Sequence, residues 1–246
     1  MALPAPTVLT PTALPGGLLA SASDLSAGWE NGIEFTPATC LVPERVAVCP
    51  EDYTGELDEV GPVQFMPIEL RQGVKCSSLS RLDVGTLAGE TIDITTEYLL
   101  AQELQDGAAS GNPALVDATS LGTSTVVGEA ISWLEEAGAA ALAGRLIVIH
   151  VPALLSVYLP DTIYRDGEGN WRTRLGSLVV ISPGYTGSDI YATGEVYAAV
   201  SPIDTKERME RSTNIDEGWG ERFGLVAFDP CFNVSVTTPI DGPPSP

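Results

Sequence analysis

Three apolar runs crowd into residues 145–200: "RLIVIHV" (145–151), "SLVVIS" (177–182) and "IYATGEVYAAV" (190–200). Each has the length and the β-branched or aromatic residues of a buried strand. A sheet concentrated in the C-terminal half follows, and "ERFGLVAFDPCFNVSV" (221–236) adds one or two further strands. Between the second and third runs lies "SPGYTGSD", in which Pro183 stiffens the exit from one strand and Gly184 and Gly187 permit tight turns.

Helical periodicity is confined to the middle of the chain. Thr95 and Thr96 are expected N-caps, Glu97 sits in the first turn, Leu100 and Leu104 share a face, and Gly107 is a C′ stop. A second helix, expected to be the longest at roughly 125–143, is capped by Ser124 or Thr125. It places Val127, Ala130, Ile131 and Leu134 on one stripe. Pro152 opens a short helix in "PALLSVYL", and Asp166-Gly167 marks a turn.

The first third reads differently. Residues 1 to about 25 form a Pro/Ala/Leu/Thr arm whose prolines forbid a continuous helix. Its Leu9, Leu14, Leu18 and Leu19 exceed what a linker needs and suit an arm lying along a neighbour. Residues 29–92 alternate short apolar runs with Pro, Gly and Asp, so strands and long loops are expected. "PEDYTGELDEVGP" (50–62), with five acids, reads as an exposed excursion. The fold class is α+β, one dominant helix beside a sheet.

Charge and motifs narrow the function. Thirty-three acids face 12 bases, a net charge of −21, and Lys75 and Lys206 are the only lysines. Gripping nucleic acid takes basic side chains that displace phosphate counterions, and few are available here. The basic stretches Arg172/Arg174 and "KERMER" (206–211) read as surface ion pairs. A surface that encloses nucleic acid without gripping it is compatible with this charge.

Cys40, Cys49, Cys76 and Cys231 form no CxxC pair and are expected as reduced thiols, although Cys40 and Cys49 would bridge under oxidising conditions. The one histidine, His150, lies in an apolar strand with no GxSxG elbow or partner base, and reads as structural. No phosphate loop, calcium loop or zinc pattern is present, so no cofactor and no metal are expected. No apolar run approaches the roughly 20 residues that span a bilayer. The N-terminus has no basic residue before Arg45, so a cytoplasmic origin is expected, with no membrane partner.

The order of elements carries more than any motif. An arm, a strand-loop excursion and the helices are followed by "GRLIVIHVPALLSVYLP", "RLGSLVVISPGYTG", "IYATGEVYAAV" and "STNIDEGWGERFGLVAFDPCFNVSV", with Asn214, Glu221 and Arg222 ahead of the last apolar strand. Over residues 90–235 this resembles the major capsid proteins of tailed bacteriophages, the Hong Kong 97-type fold shared with encapsulins.

The resemblance implies a non-catalytic shell subunit that assembles with itself into capsomers and an icosahedral head around double-stranded DNA. Other virion proteins would be partners, and the location would be the virion, assembled in the host cytoplasm. It implies an arm at 1–28, an extended-loop region at 29–92, helical peripheral-domain residues at 93–144, an axial domain at 145–190, returning strands at 191–238 and a tail at 239–246. Under it, Pro183, Gly184, Tyr185 and Gly187, with Leu9, Leu14 and Leu18 of the arm, are candidate subunit contacts. A decoration protein, an encapsulin-like shell, or an enzyme with a site near His150 are the competing readings.

Overall fold

A computed structural model describes residues 17–24, 29–35, 62–77, 83–142, 144–210 and 214–239. A long strand, β13 (Ile215–Phe228), organises one half. Its first part pairs antiparallel with β12 (Asp204–Glu210) on one side and β4 (Ile68–Ser77) on the other, and its end pairs with β11 (Val196–Val200). β1 (Ser23–Asp24) adds a parallel strand to β11, completing a five-stranded sheet. A separate two-stranded antiparallel sheet pairs β2 (Ile33–Phe35) with β3 (Val63–Phe65).

Helix α2 (Val84–Asp106) packs on this sheet. It starts eleven residues before the expected Thr95, capped by Asp83, whose carboxylate accepts the Thr86 N–H at 2.8 Å. Thr95 and Thr96 are inside the helix, where their hydroxyls donate back to Thr91 O (2.8 Å) and Ile92 O (2.6 Å). The early turns, "VGTLAGETI", are poor in helix formers. Close packing stabilises them: a Cβ on Gly218 would lie 2.4 Å from the Val84 backbone, and one on Gly220 3.1 Å from Ala88. Bare strand backbone therefore lets the helix settle onto β13. The C-terminus is as expected, with Gly107 at φ 60° in the left-handed region.

The second half is a seven-stranded sheet in the order β5-β14-β10-β6-β9-β8-β7. Its strands are β5 (Thr119–Thr123), β14 (Asn233–Thr237), β10 (Asp189–Thr193), β6 (Val148–Pro152), β9 (Leu178–Ser182), β8 (Trp171–Arg172) and β7 (Tyr164–Arg165). The run 190–200, expected as one strand, is two: it crosses from this sheet to the other at Gly194. Helix α3 (Val127–Ala141) lies against β5, β10 and β14 and buries the expected stripe Val127, Ala130, Ile131 and Leu134. At 15 residues it is shorter than the 23-residue α2, which corrects the expected order of length. Its N-cap is Val126, and Ser124 acts from two residues upstream, accepting the Val126 N–H and donating to Glu129. A 3-10 turn, Ala153–Tyr158, stands where a short helix was expected.

Two apolar clusters form the core. One joins α2, β4, β11 and β13 with Leu18 and Trp29; the other joins α3 to the seven-stranded sheet. The basic stretches are surface pairs in part: Lys206 meets Asp204 and Glu221, Arg208 meets Glu210, and Arg172 meets Asp166, whereas Arg174 is exposed with no ion pair among the described residues and Arg211 lies outside them. Cys76 is a free thiol as expected, whereas Cys231 is disulfide-bonded, which corrects the reduced thiol expected there.

Candidate subunit-contact surface

The loop joining β9 to β10 divides into an inward and an outward half. Gly184 is packed on α2, where a Cβ would meet Tyr98 O at 2.3 Å and the Ala101 Cβ at 2.8 Å. The Gln105 side chain, itself buried, clamps the next peptide: its Nε2 donates to Thr186 O and its Oε1 accepts the Thr186 N–H, both at 2.8 Å. Tyr185 turns inward and is buried, so it is not the rigid outer contact surface expected of it. Pro183, Thr186 and Gly187 face solvent.

Behind the loop, Tyr185 Oη lies 2.9 Å from His150 Nδ1, and His150 Nε2 lies 3.0 Å from Thr193 Oγ1. Thr193 donates to Gly194 O at 3.0 Å, so its oxygen is left to accept. This fixes the direction of the chain: Tyr185 O–H to Nδ1, then Nε2–H to Thr193. Burial pushes the His150 imidazole down to about 3, and burial with the nearby Glu97 carboxylate pushes the Tyr185 phenol well above its ordinary value. A neutral, doubly bonded imidazole sealed from solvent holds strands together and has no access to substrate.

Leu18, expected in the arm's outer contact, is wholly buried in the chain's own core. Its backbone N–H donates to the Glu97 carboxylate at 3.1 Å, which ties the arm's root to α2. Leu9 and Leu14 lie outside the described residues. Pro183 and Gly187 are the candidate contacts that the fold leaves on the surface.

Other surface residues are better placed for contact, and the sequence reading missed them. In the 3-10 turn only Leu155 is buried, while Leu154 and Val157 are 65% and 77% exposed. Ile94 on α2 and Leu175 before β9 are 81% and 70% exposed. The available signal was the lack of any period in "PALLSVYL": four apolar residues on one turn cannot all point inward. Among the described residues no group of three or more His, Cys, Asp or Glu is arranged to hold a metal, and no helix is long and apolar enough to cross a membrane.

No protein-family model and no curated protein matches this sequence. Solved structures match its fold. The capsid of the native GTA particle, computed with C5 symmetry, gives a TM-score of 0.60 over 93% of this chain and 91% of that one, at 13% identity. A structure from Mycobacterium phage Cain gives 0.60 over 95% and 94% at 15% identity. One from Gordonia phage Cozz gives 0.58 over 94% and 89% at 13% identity. The matches run along almost the whole of each chain, so the mixed α+β fold of this protein is shared with the GTA capsid and with these two phage structures.

Proposed function

We propose that this chain is the major capsid protein of a tailed bacteriophage, of the Hong Kong 97 type, assembling with itself into capsomers and an icosahedral head. The observation that carries the reading is the end-to-end match to the GTA capsid, 93% of one chain and 91% of the other. Leu154, Val157 and Tyr158, all more than half exposed on one 3-10 turn, support it, because a contiguous exposed apolar patch marks an interaction surface.

In this reading residues 145–190 form the axial domain, residues 93–144 and 191–238 the peripheral domain, and residues 1–28 and 29–92 the arm and extended-loop region. The long helix begins at Val84, so the peripheral domain takes in the last residues of the 29–92 segment. The chain has no catalytic role, encloses DNA without gripping it, meets other virion proteins at its surface, and resides in the virion after assembly in the host cytoplasm. A net charge of −21 gives a wall that releases DNA readily and keeps free subunits apart at low salt.

The test is negative-stain microscopy and light scattering on the purified full chain across concentration and salt. Five- or six-membered rings and closed shells are expected. A monomer under every condition overturns the reading.

A further inference from the structure

A cleft of about 640 Å³ opens where β5 and β14 end beside the start of α3 and the 3-10 turn. Its walls include Val126, Val127, Leu155, Tyr158, Thr238 and Pro239. Thr238 is 2% exposed and its Oγ1 has no hydrogen-bond partner. At the start of α3 the N-cap residue Val126 makes no side-chain cap, and Ser124 donates to one oxygen of Glu129 at 2.7 Å, leaving the other carboxylate oxygen of that exposed residue to face outward. Around the cleft, Val126, Leu154, Val157 and Tyr158 are all more than half exposed. Two acids, Glu129 on the first turn of α3 and Asp161 beside Pro160, are exposed nearby; a Cβ on Gly128 would lie 3.5 Å from Pro160, which brings that segment against the helix start.

Toward the other end of α3 the surface has the complementary character. Residues Thr173–Ser177 form a fixed turn, with Thr173 N–H to Ser177 O and Gly176 N–H to Thr173 O both at 3.0 Å. Arg172 Nη1 donates to Gly176 O at 2.9 Å, and the Thr173 hydroxyl is bound by Glu135 of α3. The turn presents Leu175, 70% exposed, next to Leu146, 56% exposed, and these are flanked by the exposed side chains of Arg145 and Arg174. Two of the chain's 12 bases therefore rim one small apolar knob, in a protein that is otherwise strongly acidic.

Because Glu135 anchors the turn, roughly 13 Å along the helix from Val126 at 1.5 Å per residue, the knob cannot reach the cleft of its own chain. We propose that the cleft at the start of α3 receives the Arg174–Leu175 turn of a second copy, Leu175 entering between Val126 and Tyr158 while Arg174 meets Asp161 and Glu129. Knob and cleft are different surfaces of one subunit, so the contact is head-to-tail; such contacts make rings when the rotation per subunit closes and open filaments when it does not. The inference rests on the shell reading above and names the contact that would close its capsomers.

Cysteine cross-linking of the full chain tests it. Val126→Cys and Leu175→Cys are expressed as separate copies and mixed, so a 126–175 disulfide forms only between chains. A covalent dimer is expected in the mixture beyond what either variant gives alone, and the double variant should give a ladder ending at the ring size. Leu175→Asp should leave near-UV circular dichroism and Tm unchanged while raising the concentration for half-assembly at least tenfold. Arg174→Glu and Asp161→Arg should each raise it, and the pair together should restore it. Particles that form without the cross-link and survive Leu175→Asp overturn this contact and leave the shell reading standing. A wild-type chain that never assembles overturns both.

Discussion

The phenol of Tyr185 donates to Nδ1 of His150 across 2.9 Å, with the two rings edge to face at 86°, and this pair joins the β9–β10 loop to the centre of the seven-stranded sheet. Removing the donor leaves a buried ring nitrogen unpaired, at a cost of about 1–3 kcal/mol. Tyr185→Phe should therefore lower the urea midpoint without changing its slope, and leave the far-UV spectrum intact. An unchanged midpoint would remove the pair from any structural role.

The same histidine gives the fold a pH dependence whose sign is set by burial. Its folded pKa is about 3 against 6.5 for the ordinary imidazole, so the unfolded chain binds the extra proton between these values. The stability tied to a neutral His150 is complete above pH 6.5 and is lost as the pH falls from 6.5 toward 3. At 1.36 kcal/mol per unit the full effect is on the order of 4–5 kcal/mol. Unfolding curves of wild type and His150→Gln at pH 7 and pH 5 measure it. The variant should be less stable at both, and the gap should narrow at pH 5; a gap that stays constant would mean the imidazole does not stay neutral in the fold.

Glycine placement along β13 sets how closely α2 can approach. Gly218→Ala puts a Cβ 2.4 Å from the Val84 backbone, where nothing flexible can yield. Overpacking of this kind costs about 1–3 kcal/mol or more, so a clear fall in Tm is expected. Gly167→Ala, which meets nothing within 4 Å at an ordinary φ, is the matched control and should be close to neutral. Equal melting of both variants would show that α2 does not depend on bare backbone at β13.

Arg222 is 2% exposed, yet it is fully engaged: its Nε and Nη2 donate to Ser201 O at 3.0 and 2.8 Å, and its Nη1 to Asp93 and Thr96 at 3.2 Å. Burial pulls its pKa below the ordinary arginine value while Asp93 opposes that shift. Arg222→Met keeps the aliphatic stem but removes both donors to Ser201 O and the partner of the Asp93 carboxylate, while the Thr96 hydroxyl keeps its bond to Ile92 O. A loss of about 1–3 kcal/mol is expected from the Ser201 carbonyl left without its donors, since the remaining Asp93 is open to water. Denaturant melts of Arg222→Met beside Arg222→Lys check this, with lysine recovering only part because it lacks the planar fork.

The sequence shows local signals well and long-range closeness poorly. The α3 stripe, the apolar strands, the Gly107 stop and the structural His150 all follow from residues within a few positions of each other. The start of α2 does not, because "VGTLAGETI" is helical only when β13, more than 120 residues later, offers it glycines. Tyr185 reads as a surface aromatic for the same reason: its neighbours in sequence are loop residues, while its neighbours in space are His150 and α2. The cleft and the Leu175 knob were equally hidden, since exposure of an aliphatic side chain is decided by which faces the fold leaves uncovered.

The β9–β10 loop is split between an inward half on α2 and an outward half in solvent. Gly184 faces α2, so Gly184→Asp forces a charged branch into Tyr98 O and Ala101 and should yield unfolded or aggregated protein. Pro183 is on the outward half, so Pro183→Glu should fold with the wild-type Tm. If the outward half touches a neighbouring subunit, Pro183→Glu adds a negative charge at that contact and should delay assembly, as read by light scattering after a concentration jump. Normal assembly kinetics from a folded Pro183→Glu protein would confine the loop's role to bracing α2 against the seven-stranded sheet, and would leave the Arg174–Leu175 turn as the contact to test first.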